Sequence, residues 1–130
     1  MKKRMLLLMI GVMLSVTVAM AQNVPAGVVM AFRMGSSVEL GKYLSGDVEL
    51  VILNRTSNSN KATAESAMNT FFAQNEVSNF IVNHQGRKGE SGFVIGTLNT
   101  LTGSYRVNCF LKKIRNEYLI HQIRIDKTNE

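Results

Sequence analysis

Two histidines and a single cysteine are the side chains of this sequence with the most chemistry available to them. Strand alternation places His84 and His121 on the apolar faces of their predicted strands, so both are expected to point into the interior. Histidine changes charge near neutral pH, and a polar group in an apolar cleft is the usual anchor for a ligand. The alternative is a histidine at the core or its rim that bonds one backbone group.

Cys109 is expected opposite Gly96 in a strand pair, where the two leave a patch of small residues. The patch suits the floor of a pocket. Close packing under a helix is the alternative, because free cysteine behaves as a small hydrophobe. His84, His121 and Cys109 are of metal-binding types, but their spacing carries no metal signature. We therefore predict neither a metal site nor a cofactor.

The first 21 residues have the pattern of a secretory signal peptide. Basic residues precede an apolar run from Leu6 to Ala19, and Ala19-Met20-Ala21 matches the small-x-small pattern of a cleavage site. The run is shorter than the roughly 20 residues of a membrane-spanning helix. Cleavage between Ala21 and Gln22 is therefore predicted, with an uncleaved anchor as the alternative. Residues 22–130 are expected to form a single domain without a stable membrane anchor.

The charge of the mature chain excludes one class of partner. Removing Lys2, Lys3 and Arg4 lowers the formal net charge from +6 to +3. No basic stripe with interleaved aromatic residues remains, so nucleic-acid binding is not expected. With one cysteine there is no internal disulfide, although export implies an oxidising compartment. The core must hold by packing alone.

Three helices are predicted from the spacing of apolar residues. The first runs from Pro25 to Gly35, and Ser36-Ser37-Val38-Glu39 is a capping box that begins the second. The third runs from Lys61 to Gln74 and is capped by Ser59 or Asn60. Its inward stripe comprises Ala64, Ala67, Met68, Phe71 and Phe72.

Five strands are predicted around these helices. Asp47–Leu53 and Val77–Gly86 are the first two, and Phe93–Asp126 is a meander of three more. Asn54–Asn60 is interpreted as a turn-rich loop. The order α–α–β–α–β–β–β–β places the helices on one side of a mainly antiparallel sheet, which is an α+β arrangement.

The register of the meander decides which residues face the helices. A turn at Thr102-Gly103 and a three-residue loop at Arg115–Glu117 give two opposite faces. The inner face comprises Val94, Gly96, Leu98, Val107, Cys109, Leu111, Leu119, His121, Ile123 and Ile125. The outer face includes an apolar cluster of Phe93, Ile95 and Phe110. A slip of one residue in the last hairpin would remove His121 from the interior.

Five stretches of the chain carry a family resemblance: VELVILN, KATAESAMNTFFAQN, NHQG, GTLNTLTGSYRV and LKKIRNEYLIHQIRI. From Pro25 to Asp126 the chain resembles the bacterial family of domain of unknown function 4783. The resemblance implies a nuclear-transport-factor-2-like cone, in which a curved sheet wraps over three helices around an inner pocket. The family comes from Bacteroidota-type bacteria, which fits the exported protein, periplasmic or secreted, that the signal peptide predicts. One departure is Asn116-Glu117, where the family tends to have Asn-Gly.

Tyr43 and Asp47 lie near the position at which enzymes of this fold often carry a general acid or base. Nothing in the sequence shows the tuned carboxylate or histidine that proton transfer needs, and Asp47 beside Gly46 is typical of a turn. No catalytic residue is therefore assigned. The candidate pocket residues are Tyr43, His84, Cys109 and His121.

Three function classes follow from the implied cone. The preferred class is a non-catalytic module that binds a small apolar or amphipathic ligand in the cone, or another protein. The second is a lyase, isomerase or hydrolase acting on a small molecule in the same pocket. The third is a structural subunit that forms a homodimer through the outer face of the sheet. A pocket filled by Met68, Phe71 and Phe72 would exclude the enzyme.

Overall fold

A curved sheet of six strands packs on three helices in the computed structural model, which describes residues 24–128. Helices come first, because Pro25 precedes the first helical turn, where its missing N–H is not needed. The helices are α1 (Ala26–Met34), α2 (Ser37–Gly41) and α3 (Lys61–Gln74). The strands are β1 (Leu44–Ile52), β2 (Arg55–Asn60), β3 (Val77–Lys88), β4 (Ser91–Thr100), β5 (Gly103–Ile114) and β6 (Glu117–Lys127). The predicted signal peptide and its cleavage site at Ala21 and Gln22 lie outside the described residues.

The strand order across the sheet is β2-β1-β6-β5-β4-β3. All neighbours are antiparallel except β1 and β6, which are parallel. The sheet is therefore mainly antiparallel, with the helices on one side, and the predicted α+β cone is confirmed. Among residues 24–128, no helix combines the length and the apolar composition needed to cross a membrane.

The predicted end of α1 and the predicted starts of α2 and α3 are confirmed by their caps, whereas α2 ends at Gly41, before the stop predicted at Ser45-Gly46. Gly35 ends α1 with φ 62° and ψ 38°, the left-handed conformation that glycine adopts without a steric penalty. Ser36 Oγ accepts a hydrogen bond of 3.1 Å from the Glu39 backbone N–H. Asn60 Oδ1 accepts one of 2.8 Å from the Thr63 N–H and so begins α3.

The predicted loop from Asn54 to Asn60 is wrong, because most of it is strand β2. Its residues pair antiparallel with β1, and Leu53 and Asn54 form the two-residue turn with φ 50° and 71°. Nearly every side chain of β2 is exposed, so no alternation of apolar and polar residues marks it as a strand. Backbone pairing with β1 overrides the weak local preference. We call the β1–β2 hairpin the arm.

The faces predicted for β4 and β5 are confirmed, although the turn is not. Leu101 and Thr102 form the turn, and Thr100 pairs with Gly103. The prediction paired Leu101 with Ser104, so each residue of β5 is paired two positions away from its predicted partner in β4. A shift of two residues leaves every side chain on its predicted face, because side chains alternate with a period of two. The partners change, so Cys109 lies opposite Val94 and not opposite Gly96.

The loop of the last hairpin has two residues and not the predicted three, and a bulge in β6 follows it. Arg115 and Asn116 form the turn with φ 53° and 67°. His121 is then an extra residue between the two pairs that β6 makes with Phe110 and Leu111. The bulge returns Ile123 and Ile125 to the core as predicted, whereas Ile120 takes the buried place expected of Leu119 and His121.

Aromatic side chains of α1, α3 and β3 fill the interior where α1 packs on β3. The Phe32 ring packs against Phe72 and Phe80 at centroid distances of 6.4 and 5.2 Å. A Cβ atom at Gly96 would overlap the Phe80 ring. This end of the cone is therefore closed by close packing.

Candidate functional site

His84 lies on the outer face of the sheet, which contradicts the prediction that it points inward. A bulge between Val82 and His84 shifts the alternation, so His84 pairs with Ile95. Its exposed imidazole packs on the Phe93 ring at a centroid distance of 5.0 Å. The sequence offered no warning, because the bulge has no glycine or proline to mark it.

His121 also leaves the predicted pocket, since its bulge places it in a hollow beside the arm. This hollow of about 350 Å³ is shared with Asp47 and Glu49 of β1 and with residues 58–60 of β2. His121 Nδ1 is buried without a hydrogen-bond partner among the described residues. Burial is the main cause that lowers the His121 pKa; Lys112 lowers it further, and Glu49 opposes them.

Cys109 and Tyr43 lie in separate places. Cys109 is fully buried, and burial raises the pKa of its thiol far above the ordinary value, which disfavours the thiolate form that nucleophiles and metal ligands need. It lies in the core, as close packing predicts, and its strand partner is Val94. The Tyr43 ring covers Gly27 and borders a surface cleft with Pro25 and Tyr118.

The four candidate residues therefore do not converge on one pocket. Two histidines lie away from the core, and the cysteine lies within it. Across residues 24–128, no three His, Cys, Asp or Glu side chains are grouped so that they could hold a metal ion.

The structure instead opens a groove between α3 and the arm, which we call the arm groove. Its volume is about 470 Å³. The helix contributes residues at helical spacing on one face, and β1 contributes alternate residues of its helix-facing side. The groove is lined by Leu50, Ile52, Leu53, Arg55, Ser57, Ala67, Thr70, Phe71, Gln74 and Asn75.

One end of the arm groove is fixed by hydrogen bonds around Asn75. Asn75 Oδ1 accepts from Tyr105 Oη at 3.0 Å and from Thr102 Oγ1, while Asn75 Nδ2 donates to the Phe71 carbonyl at 2.9 Å. The Tyr105 ring meets Phe71 edge to face at 5.3 Å. Every polar atom of this buried amide is thereby engaged, so the groove has a rigid end wall.

The rim of the arm groove carries one cation and one exposed apolar side chain, both from the arm. Arg55 is exposed and forms no salt bridge within residues 24–128. Leu53 is 45% exposed and holds φ 50° at the tip of the hairpin. A leucine rarely adopts that φ, because its Cβ crowds the following carbonyl oxygen.

Comparison with known families identifies the chain. The family described as Domain of unknown function (DUF4783) matches residues 25–126. The chain belongs to this family. A DUF4783 protein of Bacteroides ovatus is 60% identical, with a TM-score of 0.81 over 84% of this chain and 99% of that one. A second, from Bacteroides uniformis, is 56% identical, with a TM-score of 0.81 over 83% and 100%.

More distant structures identify the fold of the DUF4783 chain. An NTF2-like protein of unknown function from Shewanella baltica is 7% identical, with a TM-score of 0.62 over 81% of this chain and 88% of that one. At that identity the likeness shows the nuclear-transport-factor-2-like fold and nothing of activity. The comparison with curated proteins returns no match.

Sequence reasoning identified half of the arm groove in this DUF4783 chain and missed the other half. Ala67 and Phe71 belong to the predicted inward stripe of α3. The sequence pattern predicts a loop at Arg55 and Ser57, and therefore no wall opposite the helix. The only available signal was Asn54 after an apolar strand, since asparagine tolerates the positive φ of a hairpin turn.

Proposed function

We propose that this DUF4783 protein is an exported, non-catalytic binding module whose ligand lies in the arm groove. The observation that carries the proposal is the contrast between a filled cone and an open groove. Met68 is fully buried, and Phe71 and Phe72 are 5% and 7% exposed, so the cone interior is occupied by the protein's own side chains. The groove of about 470 Å³ is of the size that small ligands occupy.

The positions of the titratable residues favour binding over catalysis. General acid–base catalysis needs a titratable side chain held within hydrogen-bond reach of the substrate. Cys109 is sealed in the core, while His84 packs on Phe93 and His121 lies beside the arm. Neither histidine lines the arm groove. A lyase, isomerase or hydrolase acting in the cone therefore has no support from this geometry.

Native mass spectrometry of the protein purified from its host tests the binding proposal. Ala67→Trp places a large ring in the groove, and Ala73→Trp places the same ring on an exposed position of α3. We expect a small-molecule adduct on the wild type and on Ala73→Trp, and none on Ala67→Trp. A wild type without an adduct, or an Ala67→Trp protein that keeps it, would refute the proposal.

A separate experiment tests whether the protein is exported and its signal peptide removed. The basic and apolar pattern of residues 1–21 supports a mature protein that begins at Gln22 and resides in the periplasm or outside the cell. Cell fractionation followed by N-terminal sequencing should find Gln22 as the first residue. Recovery from the cytoplasm with residues 1–21 intact would contradict export.

A second candidate is a dimerising subunit that pairs through the outer face of the sheet. Phe93 and Phe110 are direct cross-strand partners there, and Ile81 is 50% exposed on the neighbouring part of the sheet. Clustered exposed apolar residues are typical of protein interfaces. Sedimentation velocity should show a dimer that Ile95→Lys disrupts and that Leu101→Lys, at an exposed turn, leaves intact. A monomeric wild type at high concentration would exclude this candidate.

A further inference from the structure

We propose that the arm groove binds a fatty carboxylate, with its head group paired to Arg55 and its tail lying along Leu50, Ile52 and Phe71. The proposal rests on the proposed binding function and specifies its ligand class. It is carried by three observations on different elements: an apolar floor, a single cation and an exposed leucine at the rim.

The floor of the groove suits a hydrocarbon tail. Leu50 and Phe71, only 1% and 5% exposed, form the base of the groove, and the half-buried Ile52 and Ala67 beside them carry its accessible apolar surface. An unbranched chain gains contact along such a floor by removing apolar surface from water. The polar lining groups Ser57, Thr70 and Gln74 lie at the walls and carry no charge.

The charge of the groove selects the head group. Arg55 is its one charged lining residue, and no Asp or Glu lines it. A guanidinium presents a planar fork of donors that matches a carboxylate in a bidentate pair. Because Arg55 has no acidic partner among residues 24–128, its donors are available to a ligand. An anionic amphiphile is therefore favoured over a cationic one.

Leu53 borders the groove at a conformational cost to the turn. Its φ of 50° suits asparagine or glycine, yet the position holds an apolar side chain that lines the groove. Backbone strain of this kind concentrates at ligand clamps, where the surroundings hold it in place. A hydrocarbon tail gives the Leu53 side chain the apolar contact that it lacks in the free protein.

Isothermal titration calorimetry with sodium decanoate tests the proposal, and decyltrimethylammonium serves as the matched cationic probe. The wild type should bind decanoate at one site. Arg55→Gln should weaken binding about tenfold, as expected for the loss of a charged hydrogen-bonded pair. Leu53→Asn should weaken it by a few fold. Arg106→Gln, which removes an exposed arginine outside the groove, should leave the affinity unchanged.

Three results would overturn the fatty carboxylate. They are the absence of saturable decanoate binding, equal affinity for decyltrimethylammonium, and an unchanged affinity in Arg55→Gln. The Ala67→Trp experiment separates the two proposals: an adduct lost in that variant together with no decanoate binding retains the groove and rejects this ligand class. No adduct on the wild type rejects the binding function itself.

Discussion

The two halves of the sheet face the helices in different ways. Strands β3 to β5 meet α1 and α3 through interlocking rings, with Phe80 seated in the space that Gly96 leaves. In the arm, Arg55 and Ser57 of β2 lie opposite Ile52 and Leu50 of β1 and share the face that lines the groove beside α3. Side chains of that kind cannot fill the space over β1. One fold thus contains a closed interior and an open groove, and the difference comes from the residues of one short strand.

The largest loss of stability is expected from a cavity in the closed interior beneath strands β3 to β5. Phe32→Ala removes a fully buried ring that contacts two other rings, so the free energy of unfolding should fall by about 3–5 kcal/mol. Chemical denaturation measures it. Met34→Ala, on an exposed position of the same helix, should change stability by less than about 0.5 kcal/mol. Equal effects of the two variants would show that the closed half is not a packed core.

A smaller effect is expected at the boundary between the halves. Asn75→Ala leaves the Tyr105 hydroxyl without its buried acceptor, which should cost about 1–3 kcal/mol. The double variant Asn75→Ala with Tyr105→Phe removes that unsatisfied hydroxyl. In a thermodynamic cycle, the double variant should lose less than the sum of the two single variants. Additive losses would mean that Asn75 does not act through Tyr105.

A substitution at the tip of the arm should increase the stability of the protein, whereas the two changes above decrease it. Leu53→Asn places a residue that tolerates positive φ in the turn, so the protein should gain up to about 1 kcal/mol. Chemical denaturation again measures it. Leu101→Asn, at an exposed turn position whose φ is not positive, should change little. A loss of stability in Leu53→Asn would show that the leucine packs on the groove more than it strains the turn.

The smallest effect is expected from His121, which lies in the hollow beside the arm and should make the stability of the protein depend on pH. Because the folded-state His121 pKa lies below its ordinary value of 6.5, the unfolded state binds more protons in the interval between the two pKa values. Stability should therefore fall as the pH drops below about 6.5 and level off below the folded-state pKa.

Two variants isolate this contribution, which denaturation at several pH values measures. His121→Gln should lose it, and Lys112→Gln should reduce it, because Lys112 is one cause of the lowered pKa. Glu49, which opposes both, and Asp47 line the same hollow and remain in each variant. A wild type and a His121→Gln protein with parallel pH profiles would contradict the assignment.

The sequence predicted the parts of the fold that local chemistry specifies. Capping side chains at Ser36 and Asn60 place two helix starts, and alternation from Val94 to Leu111 assigns both faces of a hairpin. A bulge is different, because it depends on how a strand pairs with its neighbours and not on the residues near it in sequence. His121 lies in β6 between β5 and β1, and the register with both shifts in this part of the strand. No residue near His121 in the sequence indicates that a bulge occurs at this position.

The candidate site was unpredictable for a related reason. Its floor comes from apolar residues that sequence patterns recognise, such as Leu50 and Phe71. Its open wall is β2, whose Ser and Asn residues are typical of turns and form a strand here through pairing with β1. The two histidines are candidate site residues because of their chemistry, but the bulges in β3 and β6 place both side chains away from the interior.

The parallel pairing of β1 with β6 also determines when the chain can finish folding. Ile52 near the beginning of the domain lies beside Ile125 near its end, and the arm is attached to the rest of the sheet through this seam. During synthesis the β4–β5 hairpin can form as soon as it emerges, whereas β1 has no sheet to join until the last strand appears. Contacts between such distant residues form slowly. The arm can therefore join the rest of the sheet only once β6 is present, and a chain that ends before β6 would leave β1 without the strand that connects it to β5.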